Sequence, residues 1–331
     1  MKRLFIHHVD LDGISCFILA NHYKEQLDIE EFLIADYKDF ENDENIFPWS
    51  KLDKNLFDEI VFADITPSEK CRIIIQEQNI SCLILDHHKG IKEEIDNWIY
   101  DKKIYNFDEE KSGAKLVKEW IETICTIKPI VSEYSEIVST YDLFKKESEL
   151  WNTADSLNRL LYQTASYGEK IIYDKYKFFI NTIEWKLQNQ RNFSFSTLEE
   201  SKIAQSKKAE DEIYNEFINK KREIKTRIDK KGRYFSIIKL NTKISAIASR
   251  LLDRYSKLSY IMVINEYDKE KIKISLRSKE INLLEYEGTA GHEKACGIEN
   301  VTNEMAENLW NGKLFSLEII KVPLDESNKV D

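Results

Sequence analysis

No apolar stretch in the chain approaches the roughly 20 residues needed to cross a bilayer, which excludes a reading as a helical membrane protein. Met1-Lys2-Arg3 runs straight into Leu4-Phe5-Ile6 with no signal-peptide core or cleavage pattern, so the expected location is the cytoplasm. Cysteine is scarce: Cys16, Cys71, Cys82, Cys125 and Cys296 are odd in number, widely spaced and include no Cys-x-x-Cys. That excludes a disulfide framework and a zinc ribbon, and leaves most of them as reduced core thiols. Positive charge is short as well, with 49 Lys and Arg against 59 Asp and Glu for a net charge of −10. A protein that tracks long DNA or RNA carries a basic stripe that displaces counterions, so a nucleic-acid substrate of this chain would have to be short. Internal repeats and low-complexity segments are absent too.

What the sequence has is a soluble globular composition, 42% hydrophobic and 33% charged over 331 residues, enough for two domains with a core each. Residues 1–155 alternate short β-rich runs with helical stretches: Leu4-Phe5-Ile6, Glu31-Phe32-Leu33-Ile34, Ile60-Val61-Phe62-Ala63 and Cys82-Leu83-Ile84-Leu85. The pattern predicts an α/β domain, a mostly parallel sheet flanked by helices. Residues 156–231 read as a helical connector. Thr197-Leu198-Glu199-Glu200 fits a capping box, apolar residues recur through Ile203, Ile213, Phe217, Ile224 and Ile228, and Lys231-Gly232 supplies a stop. Such a helix would be about 45 to 50 Å long. It serves either as a rigid connector or as part of an antiparallel bundle on the first domain, and spacing does not choose between them. Strand-like runs return over 232–331, which predicts a smaller C-terminal α/β domain with a mixed sheet.

Only six histidines occur, and five fall in three clusters, His7-His8, His87-His88 and His292. His8-x-Asp10-x-Asp12-Gly13 follows the first strand. Alternate residues of an extended segment share a side, so His8, Asp10 and Asp12 can converge while Gly13 permits a sharp turn into a helix beginning at Ile14. One imidazole with two carboxylates suits manganese, cobalt or magnesium; the bland alternative is a polar loop in which Asp12 caps the helix. Asp64 follows Val61-Phe62-Ala63 and would emerge at the same sheet edge, where open α/β sheets present their ligands. Asp86-His87-His88 closes the fourth run: Asp86 can orient an imidazole, His87 can bind a metal and His88 can face a substrate oxyanion. Asp142 follows a helical segment. His8, Asp10, Asp12, Asp64, His87 and Asp142 are enough donors for two divalent ions about 3.5 to 4 Å apart with one carboxylate between them. Such a pair lowers the pKa of a bridging water and clamps phosphoryl oxygens, so the expected chemistry is phosphoester or phosphoanhydride hydrolysis. Farther on, Ser275-Leu276-Arg277-Ser278 and the stretch Gly288-Thr289-Ala290-Gly291-His292 through Gly297 offer an arginine and a glycine-bearing turn suited to a phosphate, or simply an ordinary turn with a packed histidine.

In order, His8-x-Asp10-x-Asp12-Gly13, Asp64, Asp86-His87-His88, Ser112-Gly113-Ala114, Asp142 and the Gly288–Gly297 loop resemble the motifs of the DHH-family phosphoesterases with their associated C-terminal domain. Within that family the layout, the Leu85-to-Lys89 stretch, Tyr141-Asp142 and the long middle helices are most similar to oligoribonucleases of the nanoRNase B type. The resemblance implies that His8, Asp10, Asp12, Asp64, His87 and Asp142 bind two manganese ions, with magnesium or cobalt as alternatives and Asp64 bridging. It implies that His88 contacts the scissile phosphate with Asp86 behind it, and that Ser112, Arg277, Ser278, Gly291 and His292 serve the substrate, the last four across an interdomain cleft. The family's loop is usually Gly-Gly-Gly-His, whereas Thr289 and Ala290 stand in it here, and the segment from Arg277 to Gly288 is short.

The expected activity is hydrolysis of short RNA oligonucleotides or dinucleotides to nucleoside 5′-monophosphates, without long duplex nucleic acid or membrane as partner and with a homodimer left open. Competing expectations are a cyclic or linear signalling-dinucleotide phosphodiesterase, a pyrophosphatase, a RecJ-like single-strand exonuclease and, in another class, a non-catalytic nucleotide sensor.

Overall fold

The computed structural model describes residues 1–36, 40, 47–166, 172–219, 224–229, 231–240, 245–255, 257–265, 272–283, 290–292, 295–311 and 320–321. Two compact units divide the chain, Met1–Ser206 and Lys207–Asp331. In the first, strands β1 (Arg3–His7), β2 (Ile29–Ile34), β3 (Glu59–Ala63), β4 (Ser81–Asp86) and β5 (Lys103–Phe107) form one sheet in the order β2-β1-β3-β4-β5. All four pairings are parallel. The α/β expectation holds.

Period-two alternation explains why these runs become strands buried on both faces. Leu4, Ile6, Ile60, Phe62, Cys82 and Ile84 fill one core, and the interleaved Phe5, Val61, Ala63, Leu83 and Leu85 fill the other. Helices α1 (Leu11–His22), α2 (Glu69–Gln78), α3 (Lys92–Asn97), α4 (Gly113–Glu122), α5 (Pro129–Asp142), α6 (Trp151–Gln163) and α7 (Ile172–Asn189) follow in the first unit. Residues of α1, α4, α5, α6 and α7 share the second of those cores with Phe5 and Val61. Each fully buried side chain of this kind contributes about 1.5 to 3 kcal/mol. The strand order reverses between β1 and β3, and in open parallel sheets that reversal opens a crevice at the strands' carboxyl ends.

Helix α8 (Thr197–Asn219) departs from the expectation at both ends. Its capping box is Ser196 with Glu199, one residue earlier: the Ser196 N–H donates to Glu199 Oε2 at 2.6 Å and the Glu199 N–H donates to Ser196 Oγ at 3.4 Å. Its far end falls at Asn219, and Lys225–Ile228 is strand β6, paired antiparallel with β7 (Tyr234–Leu240). The stop at Gly232 is therefore a hairpin turn with φ +76°. Asp229 organises that turn, accepting N–H bonds from Lys231 and Arg233 at 2.9 Å each. Thr226 and Ile228 satisfy a strand as readily as the helical period, and the ladder with β7 decides.

The second unit adds α9 (Ser245–Arg254), β8 (Tyr260–Asn265), β9 (Ile272–Ser278), β10 (Ala290–His292), β11 (Ala295–Val301), α10 (Asn303–Trp310) and β12 (Ile320–Lys321). Its sheet runs β10-β11-β9-β8-β7-β6-β12. Among the described residues only the β7–β8 pairing is parallel, so the sheet is mixed as expected. All five cysteines are free, and four of them are buried.

Candidate metal centre

The carboxyl ends of β1, β3 and β4, three adjacent strands, deliver His8, Asp64 and Asp86-His87-His88 to one edge of the first sheet. Asp10 and Asp12 arrive at the start of α1, and Asp142 is the last residue of α5. Among the described residues three groups of donor atoms lie within 4.8 Å of one another: Asp64 with Asp86, His87 and His88, and the two built on the expected donors alone, His8 with Asp10 and Asp64, and Asp12 with His87 and Asp142. Asp64 lies between the last two: its Oδ2 is 3.7 Å from His8 Nδ1 and its Oδ1 is 3.3 Å from His87 Nε2. His87 Nε2 also lies 3.3 Å from Asp142 Oδ2 and 3.8 Å from Asp12 Oδ2. All six residues singled out as metal donors thus meet in one place.

The local backbone is built for this convergence. Asp64 holds φ +59°, a left-handed conformation that costs a non-glycine residue about 1 to 3 kcal/mol, and its N–H stays bonded to Leu85 O at 3.0 Å. The N-cap of α1 is Asp10, whose Oδ1 accepts the Gly13 N–H at 3.0 Å, so the helix starts at Leu11 rather than at the expected Ile14, and the alternative in which Asp12 caps it does not hold. Asp12 instead lies in the first turn of α1 and reaches the N-terminus of α4, accepting N–H bonds from Gly113 at 2.5 Å and Ala114 at 2.9 Å. Gly13 sits inside the helix, and its role is close approach: a Cβ there would lie 2.3 Å from the His8 carbonyl oxygen. Gly113 is bound by the same constraint, with a Cβ falling 2.5 Å from Asp64 Cβ and 3.0 Å from Asp12 Oδ2.

Charge is unbalanced in the buried part of the site. Burial, then the charges of Asp142 and Asp10, push the Asp12 carboxyl up to about 8 despite hydrogen bonds from Ala114 and Ser112. Asp64 is pushed well above the carboxylate range, by burial first and then by the charges of Asp12, Asp10, Asp142 and Asp86. For Asp10 the effect of burial is outweighed by His8, which holds the carboxyl well below its ordinary value. Burial would lower His8, but the charge and hydrogen bond of Asp10, with Asp36 and Asp86 behind, raise it to about 9. Asp64 Oδ2 is buried with no hydrogen-bond partner. A buried carboxylate oxygen without a donor costs about 1 to 3 kcal/mol, and a cation relieves both that cost and the repulsion. The oxygen-rich set with two imidazoles fits hard to borderline divalent ions such as manganese or magnesium.

Asp86 orients His88 rather than the His87 ring. Its Oδ1 accepts the His88 Nδ1–H at 2.7 Å together with the main-chain N–H groups of His87 at 2.7 Å and His88 at 3.2 Å. Burial would raise the Asp86 carboxyl, but His88 and His87 hold it below the usual range. His7 joins none of the donor groups. It is fully buried in the core, its Nδ1 bonded to His8 O and its Nε2 to Tyr173 Oη, and burial lowers its pKa to about 3. Ser112 is buried as the N-cap of α4, its Oγ accepting the Lys115 N–H at 3.4 Å.

Arg277, Ser278, Gly291 and His292 belong to the second unit. Pairing aligns Arg277 with Ala295 and Ala295 with His292, so one row crosses β9, β11 and β10. Ser278 Oγ accepts N–H bonds from Glu280 at 3.2 Å and Ile281 at 2.9 Å, so it closes the turn after β9. Gly288 and Thr289 lie outside the described residues. Gly113, named only as part of the Ser112-Gly113-Ala114 motif, contributes by the missing side chain that makes room for Asp64, and one contributor escaped the sequence reading: Asp36, whose charge acts on His8. The position of Asp36 just after β2, at the same sheet edge, was the available signal.

No protein-family model matches the sequence, and no curated protein matches it. Among solved structures the chain is similar to RecJ from Thermus thermophilus in complex with Mn2+, at a TM-score of 0.51 and 13% identity over 94% of this chain and 51% of that one. The chain thus spans about half of that relative. Weaker likenesses are a RecJ exonuclease bound to manganese (TM-score 0.47, 13% identity, 94% of this chain and 88% of that one) and CDC45 from Entamoeba histolytica (0.47, 8%, 94% and 94%). At such identities the likeness to the Thermus protein shows a shared fold.

Proposed function

We propose that the chain is a divalent-metal-dependent phosphodiesterase that hydrolyses short oligoribonucleotides or dinucleotides to nucleoside 5′-monophosphates, in the manner of nanoRNase B-type members of the DHH family. The observation that carries the reading is Asp64, its two oxygens facing His8 on one side and His87 on the other within 3.7 Å. Support for the family comes from the ordered motifs and from a fold shared with a manganese-bound RecJ.

His8, Asp10 and Asp64 would hold one ion, and Asp12, Asp142, His87 and Asp64 the other. Bound there, two divalent ions supply Lewis acidity and make water nucleophilic near neutral pH. The protein's own part is positioning. Because a carboxylate accepts at Nδ1, the His88 proton sits on that nitrogen, and a protonated His88 paired with Asp86 offers Nε2–H to a phosphoryl oxygen as charge builds on it. Gly113 and Ala114 N–H groups pin Asp12 so that it need not reorganise during the reaction. The second unit, with Arg277 and the His292 segment, would bind the nucleotide. The net charge of −10 favours a substrate of a few nucleotides over a long strand.

The test is hydrolysis by metal-stripped protein resupplied with manganese, magnesium or cobalt. The substrates are a labelled dinucleotide, a trimer, cyclic dinucleotides, pyrophosphate and a long single strand, with His87→Ala and Asp86→Ala as controls. Dimer and trimer should be cleaved with manganese and spared by His87→Ala. Intact dimers and trimers would refute the reading, and tight nucleotide binding without turnover of any substrate would favour a sensor.

A further inference from the structure

Asp86 uses only half of its carboxylate. Oδ1 takes three N–H bonds, while Oδ2 is buried and has no hydrogen-bond partner. One strand over, the hydroxyl of Tyr105 is likewise buried without a partner. The parallel register pairs Ile84 with Tyr105 and Asp86 with Phe107, so Tyr105 and Asp86 lie diagonally on the same face of β4 and β5. Asp86 acts on the hydroxyl electrostatically. Burial first, then the charges of Asp86 and Asp96, raise the phenol well above its ordinary value, so its oxygen keeps its proton.

An acceptor without a donor and a donor without an acceptor, at diagonal positions on one face of the sheet, are each costly when buried, and one hydrogen bond, direct or through a single water, would satisfy both. We infer that Tyr105 is a positioning residue that donates to Asp86 Oδ2 and thereby fixes the carboxylate that orients His88. The hydroxyl holds Asp86 in the rotamer whose Oδ1 meets the His88 ring, so the chain of control runs Tyr105 to Asp86 to His88. Outer partners of this sort change activity by about 10- to 100-fold in metal sites.

The inference rests on the proposed role of His88 but can be tested apart from it. In the full-length manganese-free protein, at a pH high enough to leave the His88 ring neutral, ring 15N shifts should report its proton on Nδ1, and Tyr105→Phe should convert it to a mixture of tautomers. In the manganese-loaded protein, Tyr105→Phe should lower kcat on the labelled dinucleotide about tenfold at unchanged KM, and should cost nothing further in an Asp86→Asn background. An unchanged His88 spectrum in Tyr105→Phe overturns the inference, as does a loss that adds in full to that of Asp86→Asn. Wild-type protein that turns over no dinucleotide defeats the proposed function instead, and the spectrum still decides the role of Tyr105. Phenylalanine keeps the ring in its packing, and melting temperature separates misfolding from loss of orientation.

Discussion

The protons on Asp12 and His8 make the stability of the metal-free protein depend on pH in a direction that can be worked out. Asp12 stands at about 8 in the fold against 3.8 when exposed. The folded state therefore keeps a proton that the unfolded chain has released, and stability falls as pH rises from about 4 to about 8. His8 rises from 6.5 to about 9, so the stability it contributes is present below 6.5 and lost as pH climbs through 9. His7 runs the other way, from 6.5 down to about 3, but its contribution is already in place above 6.5. Between pH 6.5 and 9 the metal-free chain should thus lose stability steadily. Saturating manganese should remove most of that loss, because the cation replaces the protons as the counter-charge. Urea midpoints of chelator-treated and manganese-loaded protein at the two ends of that range measure it; a flat or rising metal-free profile would contradict the site's electrostatics.

At the level of elements, legibility in the sequence followed how local the deciding interaction was. The strands ending at His7, Ala63 and Asp86 could be read because alternation and β-branched content are local properties, and their parallel order follows from helices lying between them. The six candidate metal donors were legible for the same reason, each sitting at or next to a strand end or helix boundary marked by residue type. What could not be read was settled by distant partners. Asp10 rather than Asp12 caps α1 because Asp12 is drawn to Gly113 and Ala114, about a hundred positions away. Lys225–Ile228 leaves the helical period because β7 pairs with it. That hairpin rests on Asp229, which is 4% exposed and whose carboxylate also accepts from Arg233 Nε at 2.9 Å. Asp229→Ala should cost about 2 kcal/mol by removing charge-assisted bonds to two main-chain N–H groups. Amide exchange in β6 and β7 would then quicken roughly thirtyfold, and unchanged protection would show that the strands alone define the turn.

For the whole molecule, the charge balance bears on what the centre can be offered. An excess of ten negative charges repels a polyanion, and the repulsion grows with every added phosphate, whereas a dinucleotide brings a charge or two to a site proposed to hold divalent ions. Neutralising one or two phosphates of a single strand gives a slope of log affinity against log salt of about −0.7 to −1.4. A chain that grips six or more would show a slope steeper than about −4. With manganese saturating, kcat/KM should therefore be highest on substrates of two or three nucleotides, fall as the strand lengthens toward twenty, and depend only shallowly on salt for the shortest ones. Series of 5′-labelled oligoribonucleotides at about 50 to about 300 mM salt separate the two regimes. A rate that rises with length, with a steep negative salt slope, would mean that a local basic surface overrides the global charge and that the chain processes long single strands.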